Sequence, residues 1–69
     1  MTKEGIRYIL EGQADSFRAL SRRNTEVFVE IEDDFFKGKS EAYTLAAEAF
    51  ENIIRNYFPK EDDDAGNEN

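Results

Sequence analysis

The sequence has no cysteine, no histidine and no tryptophan, and Pro59 is its single proline in 69 residues. Without cysteine there is no disulfide framework, iron–sulfur cluster, thiolate zinc site or cysteine nucleophile. Without histidine the chain lacks the usual general base, the Ser–His pair and most transition-metal ligands. No stretch approaches the roughly 18 apolar residues of a membrane-crossing helix, and Met1–Arg7 holds no apolar run of the kind a signal peptide needs. These absences lead to an expectation of a non-enzymatic protein with no cofactor and no metal. Its expected location is the cytoplasm.

Acidic residues are what the chain has in excess. Sixteen Asp and Glu stand against nine Lys and Arg, a formal charge of −7. The excess is uneven along the chain. Residues 1–23 carry five bases and three acids, residues 24–58 three bases and eight acids, and residues 59–69 one base and five acids. The last segment, Lys60–Asn69 after Pro59, has nothing to bury, so residues 59–69 read as a disordered acidic tail. Residues 1–58 are then one small domain, near the lower size limit for a self-sufficient core. An acidic surface repels nucleic acid and anionic lipid, so a partner chosen by charge should be basic.

Two segments read as helix. In residues 3–22, Ile6, Ile9, Leu10, Phe17 and Leu20 recur at spacings of three and four, with Ala14 beside them. Thr2 is a suitable N-cap, Glu4 suits the first turn, and Arg18, Arg22 and Arg23 suit a helix C-terminus. Gly5 and Gly12 each cost about 1 kcal/mol relative to alanine, which invites fraying or a break near Gly12. In residues 41–58, Ala42, Leu45, Ala46, Ala49, Phe50, Ile53 and Tyr57 form an apolar stripe, with Glu41, Glu48, Glu51 and Arg55 on another face. Ser40 reads as its N-cap and Pro59 as its stop.

The middle segment, about residues 25–37, has two readings. Val27, Val29 and Ile31 alternate with acids and are β-branched, which favours a strand. The alternative takes Val27, Phe28, Ile31 and Phe35 as a helical stripe between Asn24 as cap and Gly38 as terminator. A lone strand cannot satisfy its own backbone, and two short helices with a hairpin make a thin core. The expected fold is therefore α+β: two helices flanking a short strand or hairpin, completed as a homodimer. The alternative is an all-α three-helix bundle. Val27, Val29, Ile31, Phe35, Leu45, Phe50 and Ile53 are the expected core or dimer residues.

No arrangement of residues supports catalysis. With Asp33 as the first position of a calcium loop, Gly38 falls correctly at the sixth, but Phe35, Lys37 and Thr44 occupy positions that need oxygen ligands. Glu48 and Glu51 resemble half of a di-iron carboxylate set without the histidines. Asp62–Asp64 offers only weak attraction for divalent ions. Ser16, Ser21, Thr25, Ser40 and Thr44 have no activating base, and no Gly-rich phosphate loop exists. Arg22-Arg23 is a poor nucleic-acid footprint beside so many acids.

The acids remain as the candidate functional feature. On a strand, Glu26, Glu30 and Glu32 would share one face at multiples of about 6.6 Å, with Phe28 among them, and a dimer would double the row. Glu26, Phe28, Glu30, Glu32, Asp33, Asp34, Glu41, Glu48 and Glu51 are the expected partner-binding residues. In size and charge the chain is similar to the small acidic DNA mimics with which phages and mobile elements occupy host proteins. That resemblance implies an inhibitor that blocks the basic surface of a nucleic-acid-binding protein, with fast, salt-sensitive association. The alternative is a structural or regulatory oligomerisation module that binds through apolar surface around Phe28, Phe35, Phe36, Tyr57 and Phe58.

Overall fold

Thr2 opens the first helix as its side chain suggests: backbone in the extended region, Oγ1 accepting from the Gly5 N–H at 3.0 Å. In the computed structural model, which describes residues 1–59, this helix (α1) runs unbroken over Lys3–Ile31. It is 29 residues long, about 43 Å at 1.5 Å per residue. Gly12 lies inside it at an exposed position and does not interrupt it. Glu32 ends the helix in the left-handed region at φ 54°, its N–H bonded to the Phe28 carbonyl. Asp33 then caps the second helix (α2, Asp34–Tyr57) by accepting from the Phe35 N–H at 2.9 Å. Phe58 and Pro59 end α2 where the sequence places the stop.

The fold is all-α, with two helices instead of three and no strand or hairpin among the described residues. The α+β expectation over residues 25–37 is thus overturned. Thr25–Ile31 continues α1, and Asp34–Lys37 opens α2. The β preference of Val27, Val29 and Ile31 is a matter of tenths of a kcal/mol per residue in a helix. Continuing a helix satisfies each new backbone pair at once, whereas a single strand leaves a row of donors and acceptors open. The caps change accordingly. Ser40 and Asn24 sit inside helices, both buried, and Gly38 is an interior residue of α2. Arg18, Arg22 and Arg23 lie well before the α1 C-terminus and do not complement its dipole. The expected tail, residues 60–69, lies outside the described residues.

The helices pack antiparallel along a narrow seam. On α1 it follows Leu10, Ala14, Phe17, Ser21, Asn24 and Phe28; on α2 it follows Phe36, Ser40, Tyr43, Ala47, Phe50 and Ile54, all buried or half-buried. Both runs alternate spacings of three and four, the pattern that keeps one stripe against a partner helix. The centre of the seam is small and polar. Ala14 and Ala47 are 3% and 0% exposed, and no large side chain is fully buried. Ser21 Oγ lies 2.6 Å from Thr44 Oγ1 and 3.2 Å from Ser40 Oγ, and Thr25 Oγ1 lies 2.5 Å from Ser40 Oγ. Ser40 Oγ donates to the Ser21 carbonyl, Thr25 Oγ1 donates to the same carbonyl, and Asn24 Nδ2 donates to that of Leu20. The hydroxyls satisfy one another where a hydrophobic core would otherwise be.

Candidate association face

Successive helical residues point about 100° apart, so neighbours in sequence can flank a seam on opposite sides. Phe17 and Arg18 do so. Phe17 stacks on Tyr43 (ring centroids 6.0 Å) and on Phe50 (5.8 Å). Arg18 reaches the other side, where Nε and Nη2 donate to Glu51 Oε2 and Oε1 at 3.1 and 2.6 Å. These contacts fix which side of each helix belongs to which face of the two-helix layer.

On the Phe17 side, α1 contributes Ile6, Ile9, Gln13, Phe17, Leu20, Asn24, Val27 and Ile31, and none of these is charged. On the same side, α2 contributes Phe35, Ala42, Ala46, Ala49, Phe50, Ile53 and Tyr57, with Lys39 as the one charge. Much of this face is open: Leu20 is 39% exposed, Ile53 40%, Ile9 49% and Tyr57 68%. At one end Lys39 Nζ stands 5.4 Å from the centre of the Phe35 ring and 6.0 Å from that of Phe36, the two rings meeting edge to face. A continuous apolar face on a protein this small exceeds the scattered apolar exposure normal for a soluble monomer.

The Arg18 side is charged. Glu51 is held below the usual carboxylate range, chiefly by the hydrogen bond from Arg18 and then by that cation's charge, against partial desolvation. The Arg18 guanidinium is correspondingly raised by the Glu51 hydrogen bond. Arg55 donates to Asn52 one turn away.

The acids expected to bind a partner do not form the expected row. Glu26 and Glu30 share a helical face, but they line a shallow groove with Arg22, Arg23, Ala19 and Val27 that mixes both signs. Glu32 sits at the helix end, Asp33 is occupied as a cap and Glu51 as the Arg18 partner. Asp34, Glu41 and Glu48 are exposed on the outside of α2, seven residues or about 10.5 Å apart. Phe28 is half-buried in the helix seam and does not stand amid acids. Among the described residues no three acidic side chains gather around one point.

Of the seven expected core or dimer residues, none is fully buried. Val27 and Phe50 are half-buried; Ile31, Phe35, Leu45 and Ile53 are exposed on or beside the apolar face; Val29 is exposed on the charged side. Of the buried set Ala14, Ser21, Asn24, Ser40 and Ala47, only Ala14 falls within the apolar periodicity, which weights large apolar residues and passes over the other four. A signal was present in the three-and-four spacing of Ala14, Phe17, Ser21, Asn24 and Phe28.

No family model, curated protein or solved structure matches this chain. Among the described residues no helix is long and apolar enough to cross a membrane.

Proposed function

We propose that the protein is a structural or regulatory association module, a helical hairpin that binds another helical surface through its apolar face. The observation that supports this reading is the segregation of charge: one charged residue, Lys39, lies on a face that both helices build from end to end. The acids lie elsewhere and keep the assembled module soluble. A mimic of the DNA backbone needs closely spaced charges of one sign. Helical geometry instead spreads Asp34, Glu41 and Glu48 about 10.5 Å apart and mixes Glu26 and Glu30 with two arginines.

Salt dependence tests the proposal. Association through the apolar face changes by less than about threefold between 50 and 200 mM salt, because few ions are displaced. Affinity that falls by orders of magnitude over that range, as for a polyanion-like surface, overturns it.

A further inference from the structure

Resting on that reading, we infer that the occupant of the apolar face is a second copy of this chain, with α1 of each copy lying on α2 of the other in a four-helix bundle. Three observations lead there.

The first is the seam. A hairpin whose fully buried apolar residues are Ala14 and Ala47 has too little core to hold two long helices in place. Its cover must be present whenever the chain folds, and a second copy is a partner always made with it. The second is size and charge. Helices about 43 and 36 Å long, each showing a strip about 10 Å wide, present about 800 Å². A stable interface hides about 800 Å² per partner. Although each copy carries −7, the face holds only Lys39, so two copies meet without opposing their acids.

The third is volume. The contacts of Ser21 with Ser40 and Thr44, and of Phe17 with Tyr43 and Phe50, set the heights of the helices against each other. At the height of Phe17 and Leu20 the α2 stripe shows Ala42, Ala46 and Ala49; at the height of Val27 it shows Phe35 and Lys39. In the middle of the face bulky Phe17 and Leu20 of α1 thus lie beside small residues of α2, whereas towards its ends Ile9 lies near Ile53 and Tyr57, and Ile31 near Phe35. A two-fold axis parallel to the helices sets α1 of one copy over α2 of the other at equal height, so in the middle of the face bulk meets space. A two-fold axis across the helices would set bulk on bulk and alanine on alanine. The first arrangement fills the interface, as interiors require. It also places both Glu32–Asp33 connections at the same end of the bundle.

Spin labels test both parts. Asp34→Cys gives a single exposed thiol at the start of α2, since the chain has no other cysteine. The full chain so labelled is expected to be a dimer by sedimentation, with a pulsed electron-spin distance of about 20–30 Å, because the two α2 helices lie on the bundle diagonal at the same height. A dimer with labels about 36 Å or more apart has its connections at opposite ends and overturns the arrangement. A monomer at tens of micromolar overturns the second copy as occupant. Ala42→Trp, a position exposed in the single hairpin, is expected to raise the dimer dissociation constant at least 100-fold by blocking the seat of Leu20. Unchanged dimerisation in that variant overturns the proposal. If the chain is monomeric and Leu20→Lys abolishes binding to a different protein, the second copy is wrong and the association face stands. If Leu20→Lys leaves all association intact, the face itself is wrong.

Discussion

Arg18 of α1 holds Glu51 of α2 in a two-pronged hydrogen bond at 3.1 and 2.6 Å, one residue after Phe17 stacks on Phe50 across the same seam. One junction therefore joins the helices by charge on one side and by aromatic packing on the other. The pH dependence follows from the charged half. Glu51 has a native pKa lowered from its ordinary 4.5 by the Arg18 hydrogen bond, so it contributes stability above that value. The contribution is lost as pH falls through the lowered native value. Between pH 5.5 and 3 the urea midpoint of the wild type should fall further than that of Glu51→Gln, which has no carboxylate to titrate. Parallel curves would show that the ion pair adds nothing to stability.

Ala47 is wholly enclosed between the two helices. Ala47→Leu should push them apart and cost about 1–3 kcal/mol, read from the urea midpoint at constant slope. The same change at Ala19, exposed on the outer side of α1, should cost far less.

Ser21 ties the buried hydroxyl cluster together, meeting both Ser40 and Thr44. Ser21→Ala should cost about 1–2 kcal/mol, because it strands the Thr44 hydroxyl in a partly buried site. Adding Ser40→Ala should cost less than the sum of the two single changes, since the Ser21–Ser40 hydroxyl contact is already gone. Additive losses in that double-mutant cycle would mean the hydroxyls act independently.

Glu32 holds a left-handed backbone, φ 54°, that side chains with a Cβ adopt at a cost. Glu32→Gly should stabilise the hairpin by about 0.5–1 kcal/mol, the gain in the turn being partly offset by greater freedom of the unfolded chain. Thermal unfolding followed by circular dichroism checks the sign.

The helix ends at Thr2 and Pro59 were legible because caps and prolines act through neighbouring atoms. The middle was not. Val27, Val29 and Ile31 carry a local β preference that loses to backbone hydrogen bonding once α1 is already formed on their N-terminal side. Ser40 looked like a cap for the same reason: locally it is a good one, but tertiary contact with Ser21 gives its hydroxyl a partner inside the helix.

Local periodicity sets angles. A 3.6-residue period places Ile9, Leu20 and Val27 on one charge-free stripe of α1, and Ala42, Ala46 and Ile53 on one of α2, whatever the helices pack against. Packing of the two helices places these stripes side by side on an open face and brings Ala14, Ser21, Ser40 and Ala47 together between the helices. The physical reason is that periodicity sets direction without setting distance. Close approach of two backbones needs small side chains and satisfied hydroxyls, and it leaves the larger apolar residues facing outward.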